Sequence, residues 1–224
     1  MKYIVSNIRL GLDEGIDILK EKAARRLGTS SGSLSGFRIV KESIDARRKP
    51  DIYLVYSVVA EIDGKVRIPS DGSVRELEEI IEREPVPGSL RLNNRPVIVG
   101  SGPAGIFAGL VLSKNGYRPI ILERGAPLEE RVKTVSRYWE NGELDTETNV
   151  KFGEGGAGTF SDGKLTTRIN DPRCERVLKE FFEAGAHEDI LYKAKPHIGS
   201  DVLRRVVVNL REKIIQNGGE FRFG

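Results

Sequence analysis

Little in this chain of 224 residues invites redox or metal chemistry from the protein's own side chains. Cys174 is the single cysteine, which excludes a disulfide framework, a C-x-x-C redox pair and a cysteine-rich metal site. It also excludes a disulfide reductase that works through two cysteines. There are two histidines, His187 and His197, and neither has a serine, acid or metal-ligand partner at a telling spacing, so no metal site is indicated. No apolar run reaches the ~20 residues of a membrane span, and MKYIVSNIRLG alternates like a strand and lacks a signal-peptide core. The expected compartment is the cytoplasm. A net charge of +3 with 7% aromatic residues is too weak a signature for nucleic acid.

Glycine, by contrast, is abundant and placed. From Arg95 the chain reads RPVIVGSGPAGIFAGLVLSKNGYRPIILERG. Val97–Val99 is an apolar run suited to a buried parallel strand. Gly100, Gly102 and Gly105 follow as G-x-G-x-x-G at the mouth of a helix. The first glycine permits a tight turn, the second lets backbone approach a pyrophosphate, and the third brings helix and strand together. Ser101, Pro103 and Ala104 lie between them, with Pro103 in the first helical turn, where a missing N–H costs nothing. Ile106, Leu110 and Val111 would face the sheet, and Gly116 would stop the helix. A second strand ends at Glu123, near the ~20-residue offset of an acid that takes ribose hydroxyls. This geometry does not separate NAD from FAD. Glu123 would repel a 2′-phosphate, and Arg124 beside it weakens that argument.

A second glycine cluster, KFGEGGAGTFSDGKL, spans Lys151–Leu165. It buries little side-chain surface at high entropic cost. It makes sense where successive N–H groups lie against a flat or anionic ligand, or else as a surface loop. Gly155, Gly156, Ala157, Gly158 and Thr159 are its candidate contacts.

VIVGSGPAG with ILERG resembles the N-terminal FAD fingerprint of flavoproteins with two dinucleotide domains. Together with FSDGKL, LTTR at Leu165–Arg168 and HIGSDVLRRVVVNLREKI from His197, the chain resembles bacterial and archaeal FAD-dependent dehydrogenases. These are NAD(P)/FAD-dependent oxidoreductases without an assigned substrate. The resemblance is strong over Arg95–Gly224 and looser before it. It implies bound FAD, with the second glycine loop near the isoalloxazine or pyrophosphate, and Arg131 near the pyrophosphate; Arg131 is equally read as a solvated helix charge. It also implies a second half carrying the rest of the FAD domain and a substrate domain. The chain is therefore expected to be the N-terminal part of a protein of roughly double its length, with that half or a complementary subunit as partner.

The architecture expected is α/β. Residues 1–84 read as a small α+β, ferredoxin-like domain, 85–95 as a Pro/Gly linker, and 96–224 as an incomplete Rossmann-like FAD domain. In the small domain, Tyr3–Leu10, Phe37–Ala46, Ile52–Ile62 and Val66–Ile68 read as strands. Ile16–Leu27 reads as an amphipathic helix, and Ser73 with Glu76 forms a capping box that predicts a helix to about Glu84. In the large domain, helices are expected from Leu128 to near Gly142, from Asp171 to Ala184 and from Ser200 to Gly218, with Trp139 packing at the first helix's end. A strand is expected over Glu220–Phe223.

Lys164 and Arg168 follow the glycine loop, where a cation would stabilise a reduced flavin; they are equally read as surface charges. His197 precedes a segment expected to approach the flavin and is, with Lys164, a weak catalytic candidate. The function expected is that of an FAD-dependent oxidoreductase, or its N-terminal part, acting on an unknown small molecule. NAD(P)H would be the electron donor. The alternative is an RNA-associated flavoprotein using Arg47, Arg48 and Lys49, a cluster otherwise read as a solvated hairpin tip, like Arg25–Arg26 on its helix.

Overall fold

The computed structural model describes residues 1–66, 68–78, 85–89, 92–167, 169 and 171–224. The chain divides into two compact units: Met1–Glu82 with Glu188–Pro196, and Arg83–His187 with His197–Gly224.

The first unit contains β1 (Lys2–Gly11), α1 (Ile18–Arg26), β2 (Leu34–Asp45), β3 (Tyr53–Ile62) and β4 (Val74–Glu76). Its sheet runs β2-β3-β1-β4 with every neighbour antiparallel. In β1 the buried residues are Tyr3, Val5, Ile8 and Leu10, so the period of two breaks once, between Val5 and Ile8. A register shift between those two residues absorbs the odd residue, and Asn7 within it adopts a left-handed φ of 59°. The bulge returns Ile8 and Leu10 to the core face. There they join Leu19, Ala23 and Leu27 and the inward side of β3 in one apolar cluster.

Two expectations fail here. Ser73 opens no helix: Val74–Glu76 is β4, pairing Val5 with Val74 and Tyr3 with Glu76. The buried, β-branched Val74 suits the pleated sheet better than a helix, and the Asp71 carboxylate takes the Ser73 N–H at 2.9 Å as a turn instead. The rest of the expected helix, residues 79–84, lies outside the described residues. Val66 and Ile68 form no strand, although Val66 packs on the core. The domain boundary also differs from expectation, because Glu188–Pro196 belongs to the first unit. The Glu42 N–H donates to Tyr192 O at 2.7 Å and the Ala194 N–H to Glu42 O at 2.9 Å, so this segment covers the open edge of β2.

The second unit contains β5 (Val97–Val99), α2 (Pro103–Lys114), β6 (Ile120–Glu123), α3 (Leu128–Asn141), α4 (Arg173–Glu183), α5 (Ser200–Gln216) and β7 (Glu220–Phe223). Its sheet is parallel in the order β5-β6-β7, as strands joined by helical crossovers must be. On α5, Leu203, Val206, Val207, Leu210 and Ile214 are buried at steps of three and four. Gly109 lets α2 sit close, since a Cβ there would meet Ile121 Cδ1 at 2.8 Å and Ile214 Cδ1 at 3.3 Å. Among the described residues no helix is long and apolar enough to cross a membrane.

Gly105 is the tightest approach between α2 and β5: a Cβ would stand 1.9 Å from Gly100 O. Gly105→Ala is therefore expected to push the helix off the strand and cost about 1–3 kcal/mol in urea unfolding. Gly88→Ala, with nothing within 4 Å, serves as the neutral control.

Candidate functional site

The site begins where β5 ends. Gly100, at φ 95°, turns the chain while its N–H donates to Leu122 O at 2.7 Å. Gly102 caps α2 and Pro103 opens it. The first helical hydrogen bond runs from Ile106 N–H to Gly102 O. The preceding N–H groups, of Ala104 and Gly105, therefore have no partner within the helix.

Glu123, at the end of β6, is only 8% exposed. Its Oε2 accepts from Ser101 N–H at 2.8 Å and Ser101 Oγ at 2.9 Å. Its Oε1 accepts from Gly125 N–H at 3.0 Å and Gly153 N–H at 3.2 Å. Four donors thus match the four lone-pair positions of a carboxylate. Burial alone would push this carboxyl up, but the three backbone N–H groups and the hydroxyl outweigh it and hold it below its ordinary value. The structure thus gives Glu123 a task other than the ribose contact read from its position: it clamps three turns together.

The second glycine loop lies against the first. The Gly155 N–H donates to Ser101 O at 2.9 Å, and a Cβ on Gly156 would come within 3.3 Å of Gly102 Cα. The loop is held from behind by Arg131, which is fully buried. Its guanidinium donates to the carbonyls of Asn149, Val150, Gly153, Glu154 and Gly156 at 2.5–3.2 Å. Burial lowers its pKa to about 10, offset in part by the charges of Glu123 and Glu154, so it remains a cation at neutral pH. Arg131 is therefore neither a solvated helix charge nor a group presented to a pyrophosphate. Glu154 is likewise fully buried. Its Oε2 accepts from Leu128 N–H, at the start of α3, at 2.8 Å and from Arg211 at 2.7 Å. Burial pushes the Glu154 carboxyl up.

A cavity of about 640 Å3 opens at the C-terminal ends of β5, β6 and β7. Of the residues picked from sequence, Gly100, Gly102, Glu123, Arg124 and Gly156 line it. Ser101 and Thr159 are buried and hold the loops from within; a Cβ on Gly155 would strike Thr159 Oγ1 at 2.2 Å. Pro103, Ala104, Ala157 and Gly158 are exposed and do not line the cavity. Sequence reasoning missed Val99, Leu122 and Phe152, the apolar walls. Val99 is 86% exposed, and its place immediately before the glycine turn was the available signal. The Arg124 guanidinium lies 4.5 Å from the Phe152 ring centroid and binds Glu147 with both ends at 2.8–3.0 Å. The cavity therefore offers apolar surface from Val99, Leu122 and Phe152 beside the bare backbone of Gly100, Gly102, Gly153 and Gly156, a set suited to a flat ring approached closely by main chain.

The catalytic candidates lie elsewhere. Lys164 and His197 are brought side by side by a backbone bridge, but neither lines the cavity. Lys164 pairs with Asp162 at 2.7 Å, and that partner raises its pKa. Arg168 lies outside the described residues. His187 follows α4 and is exposed, Cys174 is half-buried in the first turn of α4, and Trp139 meets Phe160 edge-on at 5.9 Å. Among the described residues no group of acids, histidines and cysteine could hold a metal ion.

Glu123→Ala would leave three backbone donors unpaired and is expected to cost about 3 kcal/mol. Because the folded carboxyl titrates below its ordinary value of 4.5, its stabilisation is full above that pH and is lost as pH falls through the folded value. Urea melts between pH 3 and 7 should show that acid-side loss in the wild type and a flatter profile in Glu123→Gln. Arg131→Met is expected to cost about 3 kcal/mol and to raise hydrogen exchange across Asn149–Gly156. Arg131→Lys should not rescue it, because an ammonium has three donors and no planar fork.

Residues 1–61 match a family model described as "Domain of unknown function (DUF8436)". The chain is also similar to a protein of Clostridium beijerinckii titled "Uncharacterized protein", 46% identical over 226 residues, which span 100% of this chain and 42% of that protein. The chain thus spans less than half the length of the curated relative it matches. These matches correct the family assignment drawn from the motifs: they point to a domain of unknown function and an uncharacterized relative, and not to the FAD-dependent dehydrogenases.

Proposed function

We propose that the second unit binds a dinucleotide, FAD, and that the protein is an oxidoreductase moving hydride or electrons through it. The observation that carries this reading is the meeting of both glycine loops on one cavity at the carboxyl ends of three parallel strands, joined by the Gly155–Ser101 hydrogen bond at 2.9 Å. The order β5-β6-β7 matches one half of a doubly wound nucleotide-binding sheet, whose ligands lie at such strand ends.

The residues present fit the group. Gly156 packs its backbone close to the first loop, where a Cβ would meet Gly102 Cα at 3.3 Å, while Gly102 leaves open space on its own side. Gly100 and Gly102, at the N-terminus of α2, bring main chain to the cavity, where a pyrophosphate would approach. Val99, Leu122 and Phe152 offer apolar surface to a ring. Glu123 would accept ribose hydroxyls by releasing the N–H of Gly125 or Gly153. When bound, the flavin supplies the redox chemistry, and the protein's part is to orient it and exclude water. NAD(P)H as donor and a cytoplasmic location complete the reading, the latter resting on the lone cysteine.

Titrating the full chain with FAD, followed by flavin fluorescence, should show saturable binding. Gly102→Trp and Gly156→Trp should each weaken it at least tenfold while leaving the far-ultraviolet circular dichroism unchanged. Binding of NAD in place of FAD would reassign the cofactor, and binding of neither would remove the dinucleotide reading.

A further inference from the structure

The first unit carries its own cavity of about 630 Å3, lying within the residues matched by the domain model. Arg9 pairs in register with Val55, and Val55 with Ser43, so these three side chains stand in one row on the sheet face opposite Ile8 and Leu10. Asp45 lies two residues beyond Ser43 on the same face. Val55 supplies the apolar flank on this face, while the side chain of Ile44, 70% exposed, stands on the other face of β2.

Three arginines converge on this cavity. Arg26, in the last turn of α1, donates to the carbonyls of Ser6 and Asn7. That bond fixes it on the bulge where Asn7 holds its left-handed φ. Strain of this kind gathers at working sites. Arg9 lies over the Tyr53 ring, 5.5 Å from its centroid, and reaches Asp45 at 3.3 Å. Arg47 takes Asp45 with both ends of its fork at 2.8 Å. Asp71 senses the charge of Arg26 but does not line the cavity. Of the charged residues that do, Arg9, Arg26 and Arg47 oppose Asp45 alone, which leaves a formal charge of +2. A solvated hairpin tip explains the exposure of Arg47; it does not explain a third arginine anchored by backbone at a strained residue across the same space. Guanidinium forks are matched to phosphate oxygens, and the apolar flank suits an organic part beside the phosphate.

We propose that this cleft binds the phosphate of a small phosphomonoester between Arg9, Arg26 and Arg47, with its organic part against Val55. The inference is independent of the dinucleotide site. The full chain would be titrated with AMP, inorganic phosphate and a ten-residue single-stranded oligouridine, with binding followed by calorimetry and arginine Nε–H NMR shifts. AMP should bind at least tenfold more tightly than inorganic phosphate and shift the resonances of all three arginines. Arg9→Ala and Arg47→Glu should each weaken AMP at least tenfold, the loss expected for one charged hydrogen bond. Asp45→Asn, which removes the one competing carboxylate, should strengthen it about threefold or more, a gain that misfolding could not produce. FAD titration should be unchanged in Arg47→Glu, so the two sites fail separately. AMP affinity indifferent to Arg9 and Arg47, weakened by Asp45→Asn, or absent while the oligonucleotide binds would each overturn the proposal.

Discussion

The second unit is organised around one buried carboxylate. Glu123 gathers N–H groups from Ser101, Gly125 and Gly153 and the hydroxyl of Ser101. Those groups belong to three turns that no secondary structure would otherwise join. An unpaired charge this deep would be costly. Here the carboxylate is satisfied by donors that are themselves orphans of tight turns, so each side removes the other's penalty. The close approach of Gly105 to Gly100 fixes the first turn from the helix side, and Glu123 fixes it from the strand side.

Arg131 is the complement of Glu123. The carboxylate collects amides and the guanidinium collects carbonyls, and both act on the loop around Gly153–Gly156. Such a loop has almost no side chains with which to pack, and glycine loses the most backbone freedom on folding. Its order therefore has to come from its backbone polar groups. Five carbonyls on one guanidinium, with Glu154 joining Leu128 and Arg211, supply it. The attraction of Arg131 to Glu123 and to Glu154 offsets part of the cost of burying all three.

This division explains what was legible in the sequence. The periodic elements were: the steps of three and four along α5 and the alternation in β1 mark positions by side-chain pattern, whereas Val97–Val99, expected buried, is a strand with Val97 and Val99 exposed. β4 was misread because Ser73 and Glu76 satisfy a local rule, while Val74 is buried by a distant partner, Val5. The reach of Glu188–Pro196 to the edge of β2 is a backbone pairing and leaves no trace in residue type. Within the site, glycine spacing located the loops, but the direction of Arg131 depends on which side of α3 the loop passes. A helix arginine has the same sequence appearance whether it meets solvent, an anion or five carbonyls.

The two cavities place their charge in opposite ways, and this sets what each can do. At the strand ends of the second unit the charged groups that define the loops, Glu123 and Arg131, are committed to backbone, and the open surface is left to glycine and to Val99, Leu122 and Phe152. A ligand there would be met by shape and by backbone, not by charged side chains. Any ribose that engages Glu123 must replace an N–H that holds Gly125 or Gly153. Seating of the ligand and order of the second glycine loop are then one equilibrium, because the same carboxylate serves both. In the first unit the three arginines line one cavity while donating to Asp45 and to the carbonyls of Ser6 and Asn7, so an incoming anion would compete with Asp45 for them. Recognition there would be by charge.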